Sequence, residues 1–294
     1  MPETFFHHWD RWWTRTVPPH ALALFRIAFG LFLLLYFGMQ IPHIAMLYSR
    51  EGLLIPAFTP DRLHTVIFTP PPAWAAHILF AVFTLFLISF TVGLCTRVSA
   101  GVSFILYFYY WILSLFQFGA SFDRLFIFSL LVMAFSGCGE TLSVDVKLRH
   151  GKWTAWEPVS ILPQRILSLQ IAVTYFGVGW QKLLLPAWQS GTILSYGFIG
   201  LWGTAPAYSL VRLNLPLWFY DALNWLIKAF EISLPFGLWS RRYQKWFFLG
   251  GAIFHILIAV LLAIWWFLAL IPAYILFVEP EEVLRRFEKI KGHF

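Results

Sequence analysis

Apolar residues fall in long uninterrupted runs that short polar linkers separate. Most runs approach the roughly 20 residues that an α-helix needs to cross about 30 Å of hydrocarbon. The runs occupy 21–42, 74–95, 98–117, 123–138, 161–185, 216–239 and 246–278. Backbone groups find no water at that depth and must be satisfied within a helix, and no run shows the short alternating pattern of a membrane barrel. The pattern therefore predicts an all-α, polytopic bundle of seven or eight transmembrane helices.

The last apolar run, 246–278, is longer than one crossing and shorter than two complete crossings. Its length corresponds to roughly 50 Å if it is helical throughout. Trp265, Trp266 and Pro272 mark a break within it, because proline interrupts the hydrogen bonds of a helix. The run therefore predicts one span followed by a half-helix, and it leaves the number of crossings at seven or eight.

The N-terminal stretch is aromatic and basic. Residues 1–19 place Trp9, Trp12 and Trp13 beside Arg11 and Arg15 and lack the apolar segment and cleavage site of a signal peptide. They predict an amphipathic helix that lies in the headgroup plane. The predicted organisation is this interfacial segment at 1–19, a transmembrane domain at 20–279 and a charged tail at 280–294.

Composition points to lipid as the main solvent of the surface. Of the 294 residues 60% are hydrophobic and 12% are charged, about half the charged fraction of an ordinary soluble domain. The net charge of +7 resides in short linkers and in no basic surface interleaved with aromatics, which predicts membrane lipids and not nucleic acid as partners. Cys95 and Cys138 are far apart in sequence and favour neither a disulfide framework nor a metal site.

Basic residues are distributed unequally between the two sets of linkers. The richer set holds Arg11, Arg15, Arg97, Lys147, Arg149, Lys152, Arg241, Arg242 and Lys245, and the poorer set holds Arg50, Arg62, Arg124 and Arg212. Loops rich in Lys and Arg stay in the cytoplasm, so the N-terminus is predicted to be cytoplasmic. The basic tail favours the same side and thereby an eighth crossing. The apolar linker 186–215 is predicted to fold back over the outer mouth of the bundle.

Four ionisable residues lie within the apolar runs, where each costs at least about 2.5–3.5 kcal/mol on insertion scales. Counting helical rise places Arg26, Glu231 and His255 at one depth, roughly 10–15 Å from the inner boundary. Two interpretations stay open for them: a functional hydrogen-bonded cluster, or a structural Arg–Glu pair with a satisfied histidine.

Lys182 comes near the outer end of its run, roughly 15 Å from His255 in depth on the same count. One interpretation is an anchor whose amine reaches the aqueous boundary. In the other, Gly177 and Gly179 allow a close approach, while Tyr175, Trp180 and Trp188 exclude water. Desolvation favours the neutral amine, which can take up a proton.

Several short motifs follow one another along the chain. They are Phe25-Arg26-Ile27 with Gly30, Gly93-Leu94-Cys95-Thr96-Arg97, Ser143-Val144-Asp145, Tyr175-Phe176 with Gly179, Lys182-Leu183, Trp188 and Gly191, and Glu231 at 24 positions before His255. In these motifs and their order the chain resembles the horizontally transferred transmembrane (HTTM) domain family, which includes the vitamin K-dependent gamma-carboxylase.

The resemblance implies a membrane enzyme in which Lys182 is the base and His255, Glu231 and Arg26 order the bundle or relay protons. It implies a reduced, vitamin K-like quinone with O2 and CO2 as cofactors, beside Tyr175, Gly179, Trp180 and Trp188. Bacterial relatives support the production of secreted peptide toxins, which implies a bacterial inner membrane and an exported peptide as substrate or partner. The alternatives are a non-enzymatic maturation or export factor and, with no internal repeat in its support, a transporter.

Overall fold

The computed structural model describes residues 5–54, 69–115 and 120–291, and nearly all of its regular structure is helical. The fourteen α-helices of these ranges are α1 Phe5–Thr14, α2 His20–Gly38, α3 Ile44–Tyr48, α4 Ala73–Val92, α5 Thr96–Ser114, α6 Ser121–Ala134, α7 Val144–His150, α8 Leu162–Leu184, α9 Thr192–Ile199, α10 Ala205–Arg212, α11 Leu217–Trp239, α12 Gln244–Leu262, α13 Leu270–Ala273 and α14 Pro280–Lys291. Four short 3₁₀ helices cover Ile41–His43, Pro186–Trp188, Trp265–Ala269 and Tyr274–Phe277. Two-residue strands, β1 Thr16–Val17 and β2 Val159–Ser160, pair antiparallel. The all-α prediction is confirmed.

Three helices, α2, α4 and α12, are long and apolar enough to cross a membrane by length and composition. This is fewer than the seven or eight predicted spans. Helices α8 and α11 have 23 residues each, but ionisable residues such as Lys182, Lys228 and Glu231 interrupt their apolar sequences. The apolar helices indicate a membrane protein.

The chain divides into two compact units, one of residues 1–167 with 279–294 and one of residues 168–278. In the first unit α2, α4, α5 and α6 pack around an aromatic core. The Phe37 ring lies 4.7 Å from that of Phe83 and 4.8 Å from that of Tyr107, both edge-on, in the geometry that aromatic quadrupoles prefer. All three side chains are buried.

The two ends of the predicted transmembrane domain meet within the first unit. Arg15, just before α2, forms ion pairs with Glu279 and Glu281 at the start of α14. Arg165 approaches Glu279 to 3.2 Å, and the ring of Phe287 lies 5.2 Å from that of His20 at the start of α2. The predicted N-terminal helix forms as α1, and its Trp12 covers the Arg165 guanidinium. The N-terminal and C-terminal helices therefore adjoin the same end of α2.

In the second unit the chain turns back after α12. Helix α12 ends at Leu262, close to the predicted break at Trp265, and the segment Trp265–Phe277 follows. The Gln244 side chain, at the first residue of α12, donates a hydrogen bond of 3.0 Å to the Phe277 carbonyl. The returning segment thus regains the starting level of α12. Its 3₁₀ turns allow fewer residues to cover this distance, because they rise about 2.0 Å per residue, compared with about 1.5 Å in an α-helix.

The linker 186–215 forms helices α9 and α10 and a 3₁₀ turn, and its predicted place over the outer mouth of the bundle stays a prediction. Helices α9 and α10 bury Leu194, Phe198 and Ala207 against Tyr220 of α11. The backbone at Gly191 lies directly against that of Tyr220 and Asp221. This contact positions the residues just before it, including Trp188, along α11.

Candidate functional site

The second unit contains an ion pair between the last turn of α8 and the middle of α11. The Lys182 Nζ atom lies 2.5 Å from Oε1 and 2.7 Å from Oε2 of Glu231. The two side chains are 14% and 6% exposed, so the pair is largely shielded. A charge-assisted contact with both carboxylate oxygens is among the stronger polar interactions a protein makes.

A glycine on α8 makes this pairing possible. A Cβ atom at Gly179 would lie 2.8 Å from Ile232 Cγ1 and 3.1 Å from Glu231 Cβ, closer than side chains normally pack. Gly179 therefore allows the backbone of α11 to approach α8 one turn before Lys182. The predicted close approach is confirmed at Gly179, whereas Gly177 faces open space.

The pairing differs from the arrangement that helical rise suggested. That count placed Glu231 with Arg26 and His255 near one boundary and Lys182 near the other. In the structure Lys182 comes two residues before the end of α8, and Glu231 comes fourteen residues after the start of α11. The count failed because the first turns of α11 extend past the end of α8, where α9 and α10 pack against them.

The amine of Lys182 has an aromatic contact in addition to its carboxylate. Its Nζ lies 4.4 Å from the centre of the Trp188 ring, a cation–π distance. The structure therefore shows an ion pair beside a tryptophan, not an unpaired amine enclosed only by aromatic rings. Of the three aromatic residues expected to shield the amine, Trp188 contacts it, whereas the Tyr175 hydroxyl is engaged with His255 and Tyr274.

The ion pair can hold a proton in two ways. It exists as ammonium with carboxylate, or as neutral amine with carboxylic acid after one proton moves along the short contact. A low-dielectric surrounding penalises separate charges far more than water does, which narrows the free-energy difference between the two forms. The geometry therefore allows proton transfer between the Lys182 amine and the Glu231 carboxylate.

A second hydrogen-bonded group surrounds His255. The Tyr175 hydroxyl contacts His255 Nε2, and it lies 2.9 Å from the Tyr274 hydroxyl. All three side chains are buried, and within the described residues His255 Nδ1 has no hydrogen-bond partner. Tyr175 and Lys182 share one face of α8, about 10 Å apart along the axis. The sequence identified Tyr175 and His255 but not Tyr274, since nothing distinguishes that residue from the other aromatics of its run.

Arg26 has a different environment, within the first unit. Its side chain is fully buried, and it donates to the carbonyls of Cys138 at 2.9 Å and Leu142 at 2.5 Å. The structural Arg–Glu interpretation of the sequence is wrong, because Glu231 pairs with Lys182. The reason is that the loop after α6 leaves unpaired carbonyls, which a guanidinium with five donors satisfies.

Three of the sequence motifs meet around this arginine. A Cβ atom at Gly93 would contact the Arg26 guanidinium and Ser143. Asp145 accepts hydrogen bonds from the Cys95 amide at 2.8 Å, the Thr96 amide at 2.9 Å and the Thr96 hydroxyl at 2.7 Å. Burial by itself raises the pKa of Asp145, but these hydrogen bonds outweigh it and leave the pKa below its usual value. The motifs of the first unit thus form a structural junction.

An open pocket of about 570 Å³ adjoins this junction. Its charged lining consists of Arg97, Glu140, Asp145 and Arg149. Glu140 pairs with Arg149 at 2.6 Å, and Asp145 is engaged as described above. The formal charges of these four residues cancel, so the pocket has no net charge with which to select an ion. In the described ranges, no group of three or more His, Cys, Asp and Glu residues is arranged to hold a metal ion.

The residues expected at a quinone do not share one surface. Helix α11 occupies the space beside Gly179, and the Tyr175 hydroxyl is hydrogen-bonded to His255 and Tyr274. Trp180 is 51% exposed and stacks on Phe176, whereas Trp188 faces Lys182. As a set they do not form a cradle for the cofactor that the resemblance implies.

Gly179→Ala is expected to disrupt the Lys182–Glu231 contact. The new methyl group overlaps Ile232 and must push α11 away, at about 1–3 kcal/mol. Gly177→Ala, two residues away on the same helix, meets open space and is expected to leave stability unchanged or to raise it by up to about 1 kcal/mol. Thermal unfolding of the two variants in detergent compares them, and equal midpoints would contradict the close approach.

A family model described as HTTM domain matches residues 14–281, nearly the whole chain. Comparison with curated proteins and with solved structures finds no match.

Proposed function

Because the chain belongs to the HTTM domain family, we propose that it is a membrane enzyme in which Lys182 acts as the base. The observation that carries the proposal is the shielded contact of Lys182 with both oxygens of Glu231. An ionisable pair retained inside an apolar helical unit suggests a use for the proton it holds. The substrate is proposed to be an exported peptide or a lipid-soluble molecule.

The proposed chemistry is a proton transfer. One proton moves from the Lys182 ammonium to the Glu231 carboxylate, which leaves a neutral amine beside a carboxylic acid. The amine then takes a proton from the substrate and becomes an ammonium again, while the substrate acquires the electron pair of the broken bond. Trp188 and the closely packed α11 limit access of water, which would otherwise compete for that proton. The group of His255, Tyr175 and Tyr274 is proposed to order α8 or to relay protons.

A reduced quinone stays a prediction of the resemblance, and the proposed proton transfer does not require it. When bound, such a group would add an oxidative driving force, which would extend the same base to less acidic protons. Organic extraction of the purified protein followed by mass spectrometry checks for it. A quinone recovered in about one-to-one ratio supports the prediction, and none recovered from protein purified without delipidation contradicts it.

Substitution of Lys182 by arginine separates a base from an anchor. Arginine keeps the positive charge and the pairing with Glu231, but it does not deprotonate in proteins. We expect Lys182→Arg and Lys182→Ala both to abolish a product that depends on this chain, with Gly177→Ala as the unaffected control. Untargeted mass spectrometry of peptides and lipids from cells that express each variant provides the measurement.

The same experiment tests the other functional classes. If cells with Lys182→Arg still release a mature peptide at the wild-type level, Lys182 is not a base and a non-enzymatic maturation factor is supported. If nothing is modified but solute enters proteoliposomes only in the presence of the wild-type protein, the chain is a transporter. Each outcome contradicts the proposed enzyme.

For the topology we propose eight crossings with both termini on the cytoplasmic side of a bacterial inner membrane. The ion pairs of Arg15 with Glu279 and Glu281 support a common side for the termini, and the Gln244–Phe277 contact supports a complete return after α12. The test uses a reporter protein that fluoresces only in the cytoplasm, fused to either terminus. Both fusions are expected to be fluorescent. One bright and one dark terminus would contradict an even number of crossings.

A further inference from the structure

A buried lysine on α11 has no carboxylate partner among the described residues. Lys228 has no exposed surface, and its Nζ donates to the Trp188 carbonyl at 2.9 Å and lies 3.7 Å from the Trp225 ring centre. The acids one turn or two away on the same helix are engaged elsewhere: Glu231 pairs with Lys182, and Asp221 accepts from the Gly191 amide. An isolated buried ammonium is costly without a counter-ion.

Asn224 stands beside this ammonium, one helical turn away. Its Nδ2 donates to the same Trp188 carbonyl at 2.9 Å, and the side chain is fully buried. A carbonyl oxygen only accepts hydrogen bonds, so the NH2 group of the Asn224 amide must face the Trp188 carbonyl. The Asn224 Oδ1 atom therefore points away from that carbonyl. That buried Oδ1 has no hydrogen-bond partner in the described ranges. Since two donors already occupy the Trp188 oxygen, the remaining N–H groups of Lys228 also lack an acceptor there.

The two side chains thus offer complementary groups around the Trp188 carbonyl that both of them contact. Lys228 offers donors with one positive charge, and Asn224 offers one acceptor. A carboxylate matches the single charge of one ammonium, whereas phosphate sites generally combine several donors or an arginine fork. The Asn224 acceptor requires an N–H or O–H beside that carboxylate. An acylated amino acid has both, with the amide N–H one carbon from the carboxylate.

We propose that Asn224 and Lys228 bind the carboxylate and neighbouring amide N–H of an acylated amino acid, the group found at a peptide C-terminus or on an N-acyl amino-acid lipid. The Trp225 ring covers Lys228 and is itself 54% exposed, so in this proposal displacement of that ring admits the ligand. This binding subsite lies beside the Lys182–Glu231 pair across Trp188. It does not require that pair to be catalytic.

Three matched amphiphiles test the subsite on the purified full chain in detergent. N-oleoylglycine has both groups, N-oleoylsarcosine replaces the N–H by N–CH3, and the methyl ester of N-oleoylglycine removes the charge. The measured quantity is the competitor concentration that displaces half of the radiolabelled N-oleoylglycine from the wild type. Relative to unlabelled N-oleoylglycine, we expect this concentration to be about 10-fold higher or more for the ester and about 3–10-fold higher for the sarcosine compound.

Variants assign each preference to its residue. Lys228→Met is expected to abolish the preference for acid over ester. Asn224→Ala is expected to keep that preference but to lose the one for N–H over N–CH3. The control is Lys147→Met, which removes a lysine of the exposed helix α7 that also donates to a backbone carbonyl. It is expected to change neither of the two ligand preferences.

The probe experiment also separates the two sources of the ligand. Competition by acetylated tripeptides with a free C-terminus supports a peptide, and competition by the oleoyl compounds alone supports a membrane-borne lipid. Equal binding of acid and ester by the wild type, or an intact acid preference in Lys228→Met, overturns the proposal and leaves Lys228 and Asn224 as supports of the Trp188 carbonyl. Because the readout is binding, failure here is distinguishable from loss of the Lys182-dependent product.

Discussion

Replacing Glu231 by leucine is expected to lower the free energy of unfolding by about 3 kcal/mol, because the Lys182 amine is left shielded without its counter-ion. This value is near the lower end for a broken buried ion pair, since the Lys182 side chain keeps 14% of its surface exposed. Reversible unfolding of the protein from mixed micelles by added denaturing detergent provides the measurement. Lys182→Met in the same background is expected to recover most of the loss, since it removes the unpaired charge.

The control for this experiment is the ion pair of Glu140 with Arg149 in the first unit. Its side chains are 22% and 45% exposed, and exposed pairs contribute about 0–1 kcal/mol. Glu140→Leu should therefore change stability far less than Glu231→Leu. If the Lys182 and Glu231 substitutions prove additive in a double-mutant cycle, the two residues do not interact energetically and the proposed base loses its partner.

Gly93→Ala is expected to be among the most destabilising substitutions outside the ion pair, at about 3 kcal/mol. Part of this is the left-handed backbone conformation, φ +76°, which costs a residue with a side chain about 1–2 kcal/mol. The rest is overlap of the new methyl group with Ser143 and the Arg26 guanidinium. Arg26 has little freedom to move, because two carbonyls hold it.

Gly151→Ala isolates the backbone contribution. Gly151 has φ +71°, but a Cβ atom there meets nothing within 4 Å. Its substitution is expected to cost about 1 kcal/mol through the conformation alone. Unfolding of both variants under the same conditions gives the difference, which measures how tightly the junction of Arg26, Gly93 and Ser143 is packed. A difference close to zero would mean that the junction accommodates a methyl group.

The junction also changes the interpretation of Arg26. Its position in an apolar run made it a candidate for proton relay, yet both of its described hydrogen bonds go to backbone carbonyls of one loop. The Asp145 contacts with Cys95 and Thr96 attach that loop to the start of α5. In the second unit, by contrast, Lys182, Glu231 and His255 have titratable side chains as hydrogen-bond partners.

The amino-acid sequence by itself determined the membrane character, the helical class and the family. Each depends on properties of one segment at a time. An apolar run long enough to span hydrocarbon must satisfy its own backbone, which leaves the helix as its structure. Short motifs such as Gly93-Leu94-Cys95-Thr96-Arg97 and Ser143-Val144-Asp145 likewise are local, and their order was enough to suggest the family that residues 14–281 match.

Only the tertiary structure decided the partners of the buried polar residues. Lys182 and Glu231 are 49 positions apart, and whether they meet depends on the rotation and axial offset of two helices. That offset follows from close packing at Gly179 and from the way α9 and α10 support the first turns of α11. A hydropathy average contains no information about helix rotation or offset, whereas a hydrogen bond is lost when its donor and acceptor move apart by about 1 Å. The chemistry of this protein therefore depends on helix packing that no single segment of its sequence specifies.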